Sequence, residues 1–145
     1  MNLHSARPDD LEAIQHLLST LDLPHSDLTE SHLDHFLVCR DGNDLVGVVG
    51  LEVYGTVALL RSLAVRPAYR NRGVGTRLTE RIEGYADQNG VDEIYLLTTT
   101  ASDYFGRQQY ETIDRDELPQ AIQETDEAAQ LCPASATCMR KDLPG

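Results

Sequence analysis

The spacing of hydrophobic residues divides this chain into helix-like and strand-like segments. Apolar residues recur every three or four positions in two stretches, residues 11–21 and 74–87, as they do on the buried face of a helix. Shorter apolar runs rich in β-branched residues and leucine lie between and after them, and such runs are typical of strands. The chain is therefore predicted to mix helices and strands in one domain, residues 1–145.

The strand-like runs also predict how the strands are connected. They lie at residues 3–5, 36–39, 44–54, 56–65, 93–100, 110–113 and 136–142. Asp41-Gly42-Asn43 and Gly55 supply turns, so the second, third and fourth runs are predicted to form an antiparallel meander. Short helices are predicted at residues 28–35 and 102–108. A longer acidic helix is predicted at residues 118–131, which Pro133 would end.

The most specific chemical feature is the loop Arg70-Asn71-Arg72-Gly73-Val74-Gly75, between a predicted strand and a predicted helix. The start of a helix offers free N–H groups and a partial positive charge, and glycines let the backbone approach phosphate oxygens. Arginines add charge-assisted hydrogen bonds. The loop therefore predicts a pyrophosphate site. It lacks the glycine spacing of a Rossmann fingerprint and the Gly-Lys-Ser/Thr of a P-loop.

This loop, with the preceding Leu63-Ala64-Val65-Arg66-Pro67, resembles the acetyl-coenzyme-A loop of the GNAT N-acetyltransferases, Arg-x-x-Gly-x-Gly/Ala. The order of predicted elements is also similar to that family. The resemblance implies an α/β (α+β) acyl-CoA N-acyltransferase fold, with a mixed, mostly antiparallel sheet, two splayed strands and flanking helices. It implies acetyl-CoA as co-substrate, with the following contact residues: Leu63, Ala64, Val65, Arg70, Arg72, Gly73, Val74, Gly75 and Thr76.

A narrower resemblance concerns other segments, above all Leu131-Cys132-Pro133-Ala134-Ser135-Ala136. This segment, with Leu96-Leu97-Thr98-Thr99-Thr100-Ala101, is similar to the arsenic-resistance N-acetyltransferases, a branch of the same family. The branch is named for its gene clusters, so the resemblance implies a link to resistance against arsenic or another toxicant without fixing a substrate.

The resemblance implies that an acceptor amine attacks the thioester directly, with positioning and proton removal supplied by the protein. Glu52, near the end of a predicted strand, is the candidate base, although strand carboxylates are more often simply solvated. The family's usual tyrosine position in the following helix holds Phe105. Ser102 or water is therefore the candidate acid, and Tyr104, about 100° around the helix, is interpreted as a core aromatic.

Two residues are candidates for contact with the acceptor. Arg61 stays protonated and cannot act as a base, but it suits an anionic group such as a carboxylate or phosphonate; the alternative is a structural ion pair. His25 lies in a loop between the first two helices, where it would line the acceptor pocket or face solvent. Cys132 and Cys138 lack the companion ligands of a zinc motif, so they are interpreted as structural thiols and no metal is expected.

Two functions remain open at this point. The first is an N-acetyltransferase that acts on the primary amine of a small molecule, an amino acid or an anionic analogue. The second is a non-catalytic acyl-CoA-binding sensor or partner module, which the lack of an obvious base and tyrosine acid keeps open. The acceptor loops vary freely on such folds, so the acceptor cannot be named from sequence.

The amino-acid composition limits which binding partners the protein can have. The chain has 24 acidic and 12 basic residues, a net charge of −12, which argues against nucleic acid. It has no apolar stretch of membrane-spanning length and no signal-peptide pattern at the N-terminus, so a cytoplasmic location is expected, with a homodimer left open. Lys141 is the single lysine. This even, lysine-poor acidity predicts a halophilic protein.

We expect the melting temperature to rise between about 0.1 M and about 2 M potassium chloride, because the Debye length falls from about 10 Å at 0.1 M to about 3 Å at 1 M and self-repulsion is screened. Thermal unfolding followed by circular dichroism measures this. Potassium sulfate serves as the comparison, since it also strengthens hydrophobic burial. A melting temperature that stays flat or falls in chloride would contradict the halophilic interpretation.

Overall fold

The computed structural model describes residues 1–144 and contains seven strands and four α-helices in that range. The strands are β1 (Asn2–Ser5), β2 (Phe36–Asp41), β3 (Asp44–Tyr54), β4 (Val57–Val65), β5 (Glu93–Thr98), β6 (Glu111–Ile113) and β7 (Thr137–Asp142). The helices are α1 (Leu11–Thr20), α2 (Val74–Gln88), α3 (Ser102–Arg107) and α4 (Gln120–Gln123). Within residues 1–144 no helix combines the length and apolar character needed to cross a bilayer.

All seven strands join one mixed sheet in the order β1-β2-β3-β4-β5-β7-β6. The pairing is antiparallel throughout except between β4 and β5, which are parallel. Helix α2 provides the crossover between these two strands, as parallel neighbours require. The predicted meander β2-β3-β4 and the predicted mixed sheet are both confirmed.

The parallel pair β4–β5 is short, and it splays. Its register runs only from Val57 opposite Glu93 to Leu59 opposite Tyr95. A bulge follows in β4, where Arg61 pairs with Gly50 but Ala64 pairs with Val48, and Ser62 has a φ of +62°. A bulge bends its strand and increases the local twist, so the rest of β4 separates from β5.

The core lies on both faces of the sheet. On one face α2 packs Val74, Leu78, Ile82 and Ala86 against the strands, and all four side chains are buried. On the other face α1 packs three residues, Ile14, Leu17 and Leu18. Adjacent β3 residues Val48 and Val49 join the clusters on opposite faces, as the alternation of side chains along a strand requires.

The predicted helix at residues 118–131 is wrong. The structure has α4 (Gln120–Gln123), a break, and one π-type turn, Glu127–Leu131. Thr125 makes the break: its hydroxyl donates to the carbonyl of Ile122 and accepts from the amide of Ala128. This local bonding competes with helix continuation, and it allows both Ile122 and Glu127 to be buried. Elsewhere the predicted bounds differ by a few residues at most.

We expect Gly50→Ala to destabilise the fold, because a Cβ at this position would lie 2.1 Å from Cε1 of Phe36, which is itself buried. Overpacking of this kind costs about 1–3 kcal/mol. The matched control is Gly84→Ala in exposed α2 surface, where an added Cβ meets no described atom within 4 Å; it should be neutral or stabilising by up to about 1 kcal/mol. Urea unfolding measures both variants, and an unchanged midpoint for Gly50→Ala would contradict this packing.

Candidate active site

A cleft of about 550 Å³ opens where β4 and β5 separate. One wall is the β4 segment from Leu60 to Val65, and the opposite wall is the end of β5 with the start of α3. The loop before α2 closes one end, and residues 21–24 and the Glu127–Pro133 segment approach from the sides. This volume is typical of a small-molecule site.

The predicted pyrophosphate loop has the geometry that its sequence implied. Gly73 precedes α2 with a φ of +77°, and Asn71 has a φ of +65°. These left-handed residues turn the chain into α2, whose first residues line the cleft. The predicted contact residues Arg70, Gly73, Val74, Gly75 and Thr76 all line the cleft. Arg72 does not; its guanidinium lies over the Tyr69 ring, 5.1 Å from the centroid.

The remaining predicted contacts lie along β4. Leu63, Ala64 and Val65 line the cleft. Among residues 1–144, the pairing of β4 with β5 ends at Leu59, so the later part of β4 has no strand on its cleft side. An extended ligand arm can add to such an edge as a further strand. The edge and the loop line the same cleft.

Arg61 is the centre of a buried ion cluster on the same strand. Its side chain is fully buried, and it donates to both oxygens of Asp27, from Nη1 at 2.5 Å and from Nη2 at 2.8 Å. Nη1 also donates to Glu52 Oε2 at 2.7 Å. Nε donates to Ser62 Oγ at 3.0 Å, and Glu127 Oε1 lies 3.8 Å from Nε.

The electrostatics of this cluster favour a structural ion pair for Arg61 over a contact with the acceptor. Burial by itself would lower the pKa of Arg61, but the hydrogen bond to Asp27 and the neighbouring carboxylates raise it overall. Burial would likewise raise the pKa of Asp27, and the hydrogen bonds and charge of Arg61 reverse this, so the pKa is lowered. Both groups therefore stay charged at neutral pH, and the guanidinium is committed to partners from its own chain.

Glu52, the predicted base, is also held by hydrogen bonds. Its Oε2 accepts from Arg61, and its Oε1 accepts from the Tyr54 hydroxyl at 2.6 Å. It borders a smaller depression of about 170 Å³ rather than the main cleft. Asp27, His32 and Glu52 have ligand atoms within 4.8 Å of one another. The cation found between the two carboxylates is the Arg61 guanidinium, so this group does not argue for a metal.

Glu127 is a cleft residue that the sequence analysis missed. It lines the cleft and is 4 % exposed. Among residues 1–144 its Oε2 has no hydrogen-bond partner. Burial raises its pKa to about 7, and the nearby Arg61 only partly offsets this. No sequence motif marks Glu127 as a site residue, because on the predicted continuous helix it would be one of several acidic residues at the surface.

The residues considered for the acid role are placed differently from expectation. Ser102 begins α3 but does not line the cleft. Phe105 is buried, packed edge-on against Tyr104. Tyr104, interpreted from sequence as core, is half-buried and lines the cleft. Its hydroxyl lies 3.0 Å from Thr79 Oγ1, which itself donates to the carbonyl of Gly75.

The last candidates are peripheral or unreactive. His25 is half-buried, and its Nδ1 lies 3.0 Å from the carbonyl oxygen of Leu23. It does not line the cleft, although its neighbours Leu23 and Pro24 do. Cys132 lines the cleft as a free thiol. Burial raises its pKa to about 12, so the thiol stays protonated and is a poor ligand for soft metal ions.

Comparison with protein families decides the classification. Residues 3–111 match the model of the acetyltransferase (GNAT) family, which is most of the chain. The chain belongs to the GNAT acetyltransferase family. This confirms the predicted family, its acyltransferase class and the fold, and proteins solved in complex with coenzyme A share that fold.

Curated relatives of this GNAT chain include an uncharacterised N-acetyltransferase of Chlorobaculum tepidum, 34% identical over 92 residues, which are 63% of this chain and 59% of the relative. The amino-acid acetyltransferase of Escherichia coli K12 is 28% identical over 94 residues, 63% of this chain but 21% of the relative. The chain thus spans about three-fifths of the first relative and about a fifth of the second. Neither relative is named for arsenic resistance.

Solved structures show the same GNAT fold. N-acetylglutamate synthase from Neisseria gonorrhoeae, complexed with coenzyme A and N-acetyl-glutamate, superposes with a TM-score of 0.88 at 22% identity, over 99% of this chain and 35% of that one. Rv2747 from Mycobacterium tuberculosis, in complex with CoA, superposes with a TM-score of 0.81 at 18% identity, over 99% of both chains. At these identities the likeness concerns the fold.

We expect coenzyme A to raise the melting temperature of the wild type, by an amount equivalent to about 2.7 kcal/mol at a hundredfold excess over Kd. Arg70→Glu should abolish most of this shift, because it places a carboxylate in the cleft beside the proposed pyrophosphate position. Arg72→Glu should lose less, since the Arg72 side chain lies over Tyr69.

The control for this experiment is Arg81→Glu, the same charge change on the exposed surface of α2. It should keep the full ligand shift. Differential scanning fluorimetry with and without coenzyme A measures all four proteins. Equal shifts for Arg70→Glu and Arg81→Glu would exclude the loop from the binding site.

Proposed function

We propose that this chain transfers the acetyl group of acetyl-CoA to the primary amine of a small molecule, an amino acid or an anionic analogue. The observation that carries this proposal is the cleft between the splayed strands, with the glycine loop at one end and the free edge of β4 along its wall. An extended coenzyme arm fits such an edge, and its pyrophosphate fits the start of α2.

Support for an amino acid as acceptor comes from the relatives. The matched segments of the Escherichia coli and Neisseria meningitidis proteins belong to amino-acid acetyltransferases. The Neisseria gonorrhoeae structure of the same fold binds N-acetyl-glutamate. Because those enzymes are several times longer than the matched segment, the acceptor of this chain is inferred and has to be measured.

In the proposed reaction, the cleft holds the thioester and the amine in contact, which supplies most of the rate. An amine bound as ammonium must lose a proton before its nitrogen can attack. Glu52 was the predicted base, but it has to be released from Tyr54 or Arg61 to act. The thiolate that leaves must gain a proton. Tyr104 is better placed for this than Ser102, because Tyr104 lines the cleft and Ser102 does not.

Arg61 remains the predicted contact for the anionic group of the acceptor. In the cluster it already binds Asp27 and Glu52, so an incoming carboxylate would have to replace one of these partners. Such an exchange preserves the ion pair and therefore avoids leaving a buried charge uncompensated. Binding of the acceptor's carboxylate by Arg61 can therefore be tested separately from catalysis. His25 lies outside the cleft lining, and its contact with the acceptor stays a prediction from its loop position.

Three further predictions from the sequence do not depend on the geometry of the cleft. The link to arsenic or other toxicant resistance rests on the motif resemblance around Cys132. The cytoplasmic location and a homodimer rest on the sequence arguments. The non-catalytic alternative, an acyl-CoA-binding sensor or partner module, would share the cleft and the loop but would release no coenzyme A.

We expect free thiol to be released from acetyl-CoA with at least one amino acid in a panel of the twenty common ones and phosphonate analogues, with the acetylated product identified by mass spectrometry. Each amino acid is paired with its carboxamide. Loss of one charge-assisted contact costs about 1.5–3 kcal/mol, so kcat/KM should be at least about tenfold lower for the amide.

The outcomes separate the hypotheses. Coenzyme A binding without thiol release from any amine would favour the non-catalytic module. Thiol release that is equally fast with the amide would retain the acetyltransferase and remove the requirement for an anionic group.

A further inference from the structure

We propose that Glu127, rather than Glu52, receives the acceptor's ammonium group and takes its proton; this role rests on the acetyltransferase function proposed above. The proposal begins from the charge balance around Arg61. Three carboxylates, those of Asp27, Glu52 and Glu127, lie within 4.0 Å of one guanidinium. When all three are ionised, the buried cluster carries two surplus negative charges.

The hydrogen bonds show which carboxylate lacks compensation. Asp27 takes two short bonds from Arg61, and Glu52 takes one from Arg61 and one from Tyr54. The Nε group of Arg61 donates to Ser62, so Glu127 is left at 3.8 Å with charge attraction only. Within residues 1–144, Glu127 Oε2 accepts no hydrogen bond. Such a buried, unpaired carboxylate is costly and calls for a partner.

The position of Glu127 indicates what the partner is. Glu127 and Cys132 both line the cleft, at opposite ends of the π-type turn, and the Cys132 amide donates to the Glu127 carbonyl at 2.8 Å. A primary ammonium offers one positive charge and three donors, so at the cleft it would hydrogen-bond Glu127 and offset the surplus charge of the cluster. The cluster would therefore favour a cationic amine at this point of the cleft.

The proton affinity of Glu127 suits removal of the ammonium proton. The titratable groups that face it are Arg61, Asp27, Glu52 and Cys132. Burial raises the pKa of Glu127 from 4.5 to about 7, and the two neighbouring carboxylates add to this while Arg61 opposes it. A base works best when its pKa lies near the working pH. Cys132 does not compete, because its raised pKa keeps the thiol protonated.

Ionised Glu127 takes one proton from the ammonium and becomes a neutral carboxylic acid. The freed nitrogen lone pair forms the C–N bond to the thioester carbonyl carbon, and the C–S bond breaks with its electron pair going to sulfur. A second proton leaves the nitrogen, and the thiolate gains one to become free coenzyme A. Glu127 then returns its proton to solvent.

The kinetic test compares wild type, Glu127→Gln, Glu52→Gln and the control Glu124→Gln, an exposed carboxylate three residues earlier that only bonds Gln120. Glu127→Gln should lower kcat/KM for the amine by about 10²–10⁴-fold and abolish the kinetic limb near pH 7. The KM for acetyl-CoA should stay unchanged. Glu124→Gln should keep the wild-type profile. A Glu127→Gln variant that retains the limb near pH 7 would overturn the proposal, and a Glu52→Gln variant that alone loses it would assign the base to Glu52.

A second measurement does not depend on activity. The folded-state pKa of Glu127 lies above its unfolded value, so the folded protein binds the proton more tightly. Wild type should therefore lose stability relative to Glu127→Gln as the pH rises from about 4.5 to about 7. Urea midpoints across this range measure it. A stability difference that does not vary with pH would contradict the assigned environment of Glu127.

The two proposals fail in different ways. Absence of turnover with every amine, in wild type as well as the variants, would overturn the acetyltransferase and with it this role for Glu127. Turnover in wild type with an unaltered pH profile in Glu127→Gln would overturn the role of Glu127 alone.

Discussion

The ion pairs of the buried Arg61 guanidinium are the interactions that hold this side of the cleft together. Arg61 joins four separate parts of the chain: its own strand β4, Glu52 on β3, Asp27 in the loop after α1, and Glu127 in the segment before β7. Removing one partner from a buried ion pair commonly costs about 3–5 kcal/mol. The cluster therefore fixes the two irregular segments, which have few strand or helix bonds of their own, against the sheet.

A second constraint acts next to it on the same strand. Pairing of β4 with β5 ends at Leu59, and the bulge that follows, with Ser62 at a φ of +62°, bends the rest of β4 away from β5. Arg61, beside the bulge, holds the buried ion cluster, and the residues after it form the open strand edge that leads to the glycine loop. A single irregularity in β4 thus lies between the buried ion cluster and the strand edge proposed to bind the coenzyme.

The cluster also explains why a carboxylate can remain only partly compensated. Asp27 and Glu52 use the donors of Arg61 that point towards them, and the remaining Nε donor is taken by Ser62. Glu127 is buried beside these groups without a donor of its own among the described residues. Folded proteins rarely contain a buried carboxylate without a hydrogen-bond donor unless that carboxylate serves a function. The same arrangement leaves Arg61 less available as a free anion site than its sequence position implied.

The sequence by itself determined the family, the strand order of the meander and the position of the glycine loop before α2, the predicted coenzyme site. These features depend on local rules: hydrophobic spacing, turn residues, and glycine and arginine at the start of α2, each of which acts over a few neighbouring residues. Tertiary structure decided the partners of Arg61, the position of Tyr104 at the cleft and the break that buries Glu127. Helical periodicity at residues 118–131 could not reveal that break, because Thr125 ends the helix through local bonds whose benefit depends on burying Ile122 and Glu127 against distant strands. Long-range burial, which leaves no periodic signal in the chain, therefore places Glu127, the proposed base, at the cleft.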